Sequence, residues 1–273
     1  MAALESSGNP VYLHLGSLRL HPHFVFETLG YLVAFRVYLW LRHRNGDALP
    51  DAIRWWVIAA AAFGAVAGSK ILYWFEGPRL TLANWNNPAF LFGGKTIVGG
   101  LIGGLIAVEL AKKQLGITRR TGDLFAVPLC TGIAIGRIGC FLTGIEDHTC
   151  GVATALPWGM NFGDGVPRHP TQLYEVIFAL GLGVFLWTRM SREHREGDIF
   201  KMFMVGYFSF RLGCDFLKPD VRVLLNMSSI QWACVTVIFY YSPDIMRWLQ
   251  EGASAGEKSY RGVEAAINQD TIE

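Results

Sequence analysis

The chain has 273 residues, of which 52% are apolar and 17% charged, and its formal net charge is +2. An ordinary soluble domain is about 45–50% apolar and about 25% charged. The composition therefore excludes a disordered or fibrous chain and predicts an integral membrane protein. The small net charge and the lack of a basic stripe interleaved with aromatic residues argue against a nucleic-acid partner. The five cysteines form no Cys-x-x-Cys pair, so no disulfide framework is expected.

Seven apolar segments have about the length that a helix needs to cross a bilayer. In chain order they are 24–41, 52–75, 96–111, 123–142, 172–188, 200–217 and 230–248. Small residues four positions apart, such as Gly64 and Gly68, allow helices to pack closely in lipid. The sequence predicts an all-α fold, a polytopic membrane helix bundle with about seven transmembrane helices.

Lysine and arginine are unequally divided between the two sets of loops. One set, including the C-terminal tail, carries 14 of them, and the opposite set carries 6. Because cytoplasmic loops are enriched in these residues, we expect the N-terminus and the loop 143–171 outside and the C-terminus inside. Residues 1–250 are expected to form one integral membrane domain with an uncleaved first helix, and 251–273 a polar, disordered cytoplasmic tail.

Arg137 and Arg211 lie within predicted spans, where a charge costs at least about 2.5–3.5 kcal/mol. Asp215 follows Arg211 by four residues, so a helical ion pair explains that arginine without any function. Arg137 has no acidic residue one turn away on its own helix. It needs a carboxylate, a backbone carbonyl or an anionic ligand from elsewhere, and a lipid phosphate is the anion that a membrane offers.

Polar side chains collect at the predicted outer face. The segment 168–175, Arg-His-Pro-Thr-Gln-Leu-Tyr-Glu, places a guanidinium and an imidazole before a proline that can start a helix. Glu146 and His148 precede it, and His21, His23 and Glu27 lie at the outer end of the first span as further titratable candidates. The spacing of His148 and the nearby cysteines matches no zinc template, so no metal is expected.

Four motifs in order resemble the bacterial prolipoprotein diacylglyceryl transferases. They are Gly136-Arg-Ile-Gly-Cys-Phe-Leu-Thr-Gly144 against GRxGNFxNGE, Pro157-Trp-Gly159, residues 168–175 against RHPxQLYE, and 206–211 (Gly-Tyr-Phe-Ser-Phe-Arg) against GYxxFR. That family transfers the diacylglyceryl group of phosphatidylglycerol to the lipobox cysteine thiol of a preprolipoprotein at the outer face of the plasma membrane. The resemblance implies a multi-pass protein of the bacterial inner membrane that needs no metal or organic cofactor. Its partners would be phosphatidylglycerol, the lipobox segment and membrane lipids.

The resemblance also implies roles for individual residues. Arg137 and Arg211 would be catalytic by holding the phosphate, and His169 would deprotonate the thiol, with Glu146 and His148 as other candidate bases. The expected substrate-binding residues are Arg168, Gln172, Tyr174, Glu175, Glu146, Tyr207, Gly99 and Gly100.

The sequence departs from the family pattern at four positions. Val98 stands where the family has a histidine, and Cys140, Thr143 and Ile145 replace two asparagines and a glutamate. Another imidazole replaces the missing one, or the acceptor differs, or activity is lost. Two alternatives to the family reaction therefore stay open: a divergent paralogue acting on another acceptor, and a non-catalytic phospholipid-binding or transport protein.

Overall fold

The computed structural model describes residues 12–15, 18–219, 221–252 and 254, and helices dominate this part of the chain. The helices are α1 (Pro22–Asn45), α2 (Asp51–Glu76), α3 (Pro78–Ala83), α4 (Pro88–Gly93), α5 (Ile97–Gln114), α6 (Asp123–Thr143), α7 (Thr171–Met190), α8 (Asp198–Cys214), α9 (Ser229–Tyr240) and α10 (242–252). Short 3-10 turns, Gly144–Asp147 and Asp215–Leu217, follow α6 and α8.

The first six predicted apolar segments each coincide with a helix, and the seventh, 230–248, covers α9 and α10 with a turn at Tyr241 between them. Among the described residues, four helices are long and apolar enough to cross a membrane: Pro22–Asn45, Asp51–Glu76, Asp123–Asp147 and Thr171–Met190. The chain is therefore an all-helical membrane protein with at least these four candidate spans. The predicted tail 251–273 falls almost entirely outside the described residues.

Two short helices and two β-hairpins were not predicted, because their elements are too short to show a hydropathy period. The helices α3 and α4 lie between α2 and α5. Two antiparallel hairpins pair β1 (Leu13–Leu15) with β2 (Leu18–Leu20) and β3 (Met160–Asn161) with β4 (Pro167–Arg168). The second hairpin lies in the long loop before α7 and holds Arg168 opposite Met160.

Side chains cap the helices that frame the later part of the bundle. Asp123, at the start of α6, accepts hydrogen bonds from the backbone amides of Gly197 at 2.7 Å and Phe200 at 2.9 Å. These amides begin α8 and have no partner within their own helix. At α9, Ser228 and Gln231 form a reciprocal capping box. The caps fix the start of α8 against α6 and the start of α9 after the turn that follows α8.

The helices form two groups. In the larger group α6 packs on α1, α7 and α8, and α8 also packs on α9. Its apolar core lies among α6 to α9 and includes Leu186, Phe203 and Phe208, each fully buried. In the smaller group α2 and α5 pack closely on each other and also touch α9. The space left between α2 with α5 and α1 with α6 becomes the main cavity.

Glycines bring the backbones of α2 and α5 into direct contact. A Cβ atom placed at Gly103 would lie 2.2 Å from the carbonyl oxygen of Gly64, and one at Gly68 would lie 2.3 Å from that of Gly99. Only glycine fits at this distance, as in other small-residue helix contacts in membranes.

We expect Gly103→Ala to lower the free energy of unfolding by about 1–3 kcal/mol, because the methyl group forces the two backbones apart. The control is Gly181→Ala on α7, where no heavy atom lies within 4 Å of the added Cβ. Thermal unfolding in detergent measures both variants. Equal midpoints for the two would contradict the close α2–α5 contact.

Candidate active site

A cavity of about 1870 Å³ lies between the two helix groups. It exceeds the 300–1,000 Å³ of an ordinary small-molecule pocket, and most of its wall is apolar side chains and glycines of α1, α2, α5 and α6. Charged and titratable side chains line it near the end of α6: His23, Arg137, Glu146, Asp147, His148, Arg211 and Lys218. The cavity thus joins an extended apolar space to a compact polar region.

The partner that Arg137 needs is Glu175 on the neighbouring helix α7. The Nε of Arg137 lies 2.8 Å from Glu175 Oε2, and Nη1 of Arg211 lies 3.7 Å from the same oxygen. The hydroxyl of Tyr207 donates to Oε1 at 2.6 Å. Glu175 is 1% exposed, so one fully buried carboxylate holds two arginines in place.

The predicted ion pair between Arg211 and Asp215, at the end of α8, is confirmed. Nη2 of Arg211 donates to Asp215 Oδ1 at 3.1 Å, and both side chains are buried. Asp215 also accepts a hydrogen bond from the hydroxyl of Ser228 at the start of α9. Arg211 therefore has a structural partner and still lines the cavity.

A third cation, Lys218, was missed by the sequence analysis because it lies just beyond the predicted sixth span. It is buried, and among the described residues no carboxylate oxygen lies within 4 Å of its ammonium. Burial, and then the charges of Arg211 and Arg137, lower its pKa to about 8. The lack of an acidic partner and the lowered pKa mark Lys218 as a candidate site residue, and neither property can be read from the sequence alone.

This cluster has unused capacity for an anion. Arg137, Arg211 and Lys218 are balanced by only two carboxylates, Glu175 and Asp215. Within the described part of the chain, the buried Arg211 Nη1 has no hydrogen-bond partner, because it lies 3.7 Å from Glu175 Oε2. Buried donors of this kind are costly to leave unsatisfied. An anion with several oxygens, such as a phosphate, would satisfy them from the cavity side.

His23 and Asp147 form a second polar pair at the cavity. The imidazole Nδ1 of His23 lies 2.6 Å from Asp147 Oδ1, and Cys140 Sγ lies 3.7 Å from the same nitrogen. These three side chains, within the described residues, have potential metal-ligand atoms within 4.8 Å of one another. The distance of 2.6 Å, however, is a hydrogen-bond length, shorter than the roughly 3.3 Å between two ligands of a tetrahedral zinc ion. As arranged, they form a hydrogen-bonded pair beside a thiol.

Three predicted site residues from the segment 168–175 do not line the cavity: Arg168, His169 and Tyr174. His169 Nδ1 lies 3.2 Å from the Tyr174 hydroxyl, which accepts a hydrogen bond from Trp158 Nε1 at 2.9 Å. Arg168 pairs with Asp164 at 2.6 Å, and this hydrogen bond lowers the pKa of the Asp164 carboxyl. These residues were predicted to form one site with Arg137 and Arg211, but their contacts lie within the loop and the first turn of α7.

The other predicted site residues divide by position. Glu146 and Gly100 line the cavity, whereas Gly99 packs against α2. Gln172 is buried and its Nε2 lies 3.3 Å from Cys150 Sγ. Glu175 and Tyr207 lie behind the arginines and do not line the cavity. The structure therefore brings Arg137, Arg211, Glu146 and Gly100 to one cavity.

Comparison with known proteins identifies the family of this chain. A family model described as prolipoprotein diacylglyceryl transferase matches residues 10–242. Three similar proteins, each named phosphatidylglycerol–prolipoprotein diacylglyceryl transferase, come from Paracidovorax citrulli, Methylobacillus flagellatus and Bordetella parapertussis. In that order, they are 32%, 31% and 34% identical to this chain. Each alignment covers 84% of this chain, and the alignments cover 92%, 92% and 91% of the three relatives. This chain belongs to the prolipoprotein diacylglyceryl transferase family.

Proposed function

We propose that this protein transfers the diacylglyceryl group of phosphatidylglycerol to the thiol of a lipoprotein cysteine. Two findings support this: membership of the family, and a cavity that presents three buried cations, Arg137, Arg211 and Lys218, beside an apolar space. The cavity is the observation that carries the proposal. A phospholipid has an anionic head that matches the buried cations and acyl chains that match the apolar wall.

Arg137 and Arg211 hold the phosphate in this proposal. A guanidinium matches phosphate oxygens with parallel hydrogen bonds, and Glu175 fixes both arginines from behind, so little reorganisation is needed when the ligand enters. As the bond between glycerol carbon and phosphate oxygen breaks, negative charge grows on the departing glycerol phosphate. Fixed positive charges in a dry site stabilise that charge strongly.

We expect phosphatidylglycerol affinity to fall as the pH rises above about 8, the pKa of Lys218. Protonated lysine binds the phosphate, and deprotonation removes a charged hydrogen bond worth about 1.5–3 kcal/mol, or roughly 10–100-fold in affinity. Bound phosphate favours the protonated form and raises the pKa of Lys218, so the affinity falls between the pKa of the free protein and the higher pKa of the complex. Titration calorimetry in detergent at pH 7.0 and 9.5 measures the effect.

Two variants sharpen this test. Lys218→Arg stays charged through pH 9.5 and should keep its affinity, whereas Lys218→Met should bind weakly at both pH values. An unchanged pH dependence in Lys218→Met would assign the titration to another group.

The proposed topology has seven transmembrane helices in the bacterial inner membrane, with α5, α8 and α9 crossing in addition to the four longer spans. The N-terminus is outside and the C-terminus inside. The excess of basic residues in the loops 42–54, 112–122 and 189–201 supports this orientation. It places the C-terminal end of α6, and with it Arg137, in the outer half of the bilayer.

The transfer assay incubates the purified protein with phosphatidylglycerol and a peptide that carries a lipobox cysteine. Mass spectrometry should show a diacylglyceryl increment on the cysteine and release of glycerol phosphate in equal amount. A cysteine-to-serine peptide is the control for the acceptor atom. A peptide that gains no mass while phosphatidylglycerol binds would refute the proposed acceptor.

The altered motif favours a second candidate, a transferase that uses the same lipid donor and another acceptor. Val98, Cys140 and Ile145 differ from the family pattern, and Val98 and Cys140 line the cavity. Glycerol phosphate release with membrane extract, but not with lipobox peptide, would support this candidate.

A further inference from the structure

Two histidines among the described residues line the cavity, His23 and His148. The third candidate, His169, contacts Tyr174 in the loop instead. On α5, Val98 lines the cavity and offers no proton acceptor. A base for the incoming thiol must therefore come from another element of the cavity wall.

Asp147 orients the His23 ring. A carboxylate only accepts hydrogen bonds, so at 2.6 Å the Nδ1 of His23 carries the hydrogen and donates it to Asp147 Oδ1. Asp147 is itself held by the hydroxyl of Thr149 at 2.6 Å. In a neutral imidazole with hydrogen on Nδ1, the lone pair is on Nε2. His148, by contrast, has no carboxylate partner within the described part of the chain.

The Nε2 of His23 has no hydrogen-bond partner among the described residues. The nearest carboxylate oxygen is Oε2 of Glu27 on the same helix, at 3.6 Å, beyond hydrogen-bond distance. Both oxygens of Glu27 contact the ammonium of Lys95, which offsets its charge. When the imidazole is neutral, the lone pair of Nε2 is available to a group that enters the cavity.

Cys140 connects this imidazole to the anion site. Its Sγ lies 3.7 Å from His23 Nδ1 and 3.8 Å from Arg137 Nη1. The charged and titratable groups that face His23 among the described residues are His21 just before α1, Glu27 from α1, Asp147 from the turn after α6, and Cys140 from α6. Lys95 and Arg137 lie one contact further. The imidazole and the phosphate-binding guanidinium lie on either side of a single thiol.

We infer that His23, oriented by Asp147, is the base that accepts the proton of the acceptor cysteine in this protein. The inference rests on the proposed function. The thiol proton moves to Nε2, and the sulfur forms a bond to the glycerol carbon of phosphatidylglycerol. The bond from that carbon to the phosphate oxygen breaks, its electron pair stays on the oxygen, and glycerol phosphate leaves. The imidazolium then returns its proton to solvent.

His23→Gln should lower the rate of transfer to a lipobox peptide by about 10²–10⁴-fold, the range for loss of a general base. Phosphatidylglycerol affinity should change less than twofold, because His23 does not hold the phosphate. His21→Gln is the matched control, since this neighbouring histidine at the start of the same helix does not line the cavity. It should keep the wild-type rate.

Two further measurements separate a chemical role of His23 from a structural one. Imidazole added to His23→Ala should restore part of the rate. Asp147→Asn tests the positioning role of Asp147: it should keep phosphatidylglycerol affinity and change the pH profile of the rate, because the amide no longer fixes the hydrogen on Nδ1.

The inference is overturned if His23→Gln transfers at the wild-type rate. It is also overturned if His148→Gln or His169→Gln, and not His23→Gln, lowers the rate of transfer to the lipobox peptide as the loss of a general base would. It is also overturned if a chelator abolishes the rate and zinc restores it, because His23, Cys140 and Asp147 would then act as metal ligands. A wild-type protein that binds phosphatidylglycerol and transfers nothing to any acceptor would instead refute the proposed function.

Discussion

Replacing Arg137 by glutamine is expected to lower the rate of diacylglyceryl transfer by about 10²–10³-fold, the loss typical of removing one preorganised donor that stabilises developing charge. Arg137 is buried and lines the cavity, and its one carboxylate contact among the described residues is Glu175. Glutamine keeps some hydrogen bonding but removes the charge that the departing glycerol phosphate requires. The transfer assay with lipobox peptide measures the rate.

Arg36→Gln is the matched control for this prediction. Arg36 also lies within an apolar helix, but it is exposed and does not line the main cavity. Its replacement should leave the rate within about twofold. Arg137→Lys should recover only part of the loss, because lysine lacks the planar fork of donors. A rate for Arg137→Gln close to that of Arg36→Gln would show that Arg137 is only a packing partner of Glu175.

Glu175→Gln is expected to produce the largest loss of stability, about 3–5 kcal/mol, the cost of breaking a buried ion pair by removing one partner. Glu175 contacts both Arg137 and Arg211 and is 1% exposed. Without it Arg137 has no carboxylate partner in the described part of the chain, whereas Arg211 keeps Asp215. Thermal unfolding in detergent measures the change.

Tyr207→Phe is the control for Glu175→Gln. It removes only the hydroxyl that donates to Glu175 Oε1, so it should cost about 1 kcal/mol. The double variant Glu175→Gln with Arg137→Gln should be more stable than the sum of the two single changes predicts, because the residues are coupled. Strictly additive effects would mean that the two side chains do not form an energetic pair.

The sequence predicted the helices well because hydropathy and length are local properties. Helices cover all seven apolar segments, the last of them as two helices, α9 and α10, and the pair of Arg211 with Asp215 follows from helical spacing. The need of Arg137 for a partner was also predictable. The identity of that partner was not, because Glu175 lies on another helix and only the packing of α6 on α7 brings the two together.

The composition of the site was harder to predict for the same reason. His23 and Asp147 are 124 residues apart in sequence, and nothing local relates them. Lys218 resembles an ordinary loop lysine until burial beside two arginines lowers its pKa. The segment 168–175 was expected to supply substrate-binding residues, yet the β3–β4 hairpin and Trp158 hold Arg168 and Tyr174 in contacts of their own.

The central claim is that Arg137 and Arg211 bind the phosphate of phosphatidylglycerol within this cavity. An experimental structure of the protein with phosphatidylglycerol bound tests it most directly. We expect phosphate oxygens about 2.7–2.9 Å from the guanidinium nitrogens of both arginines, with the acyl chains along the apolar wall of α2 and α5. A phosphate bound elsewhere, with both arginines still contacting only Glu175 and Asp215, would contradict it.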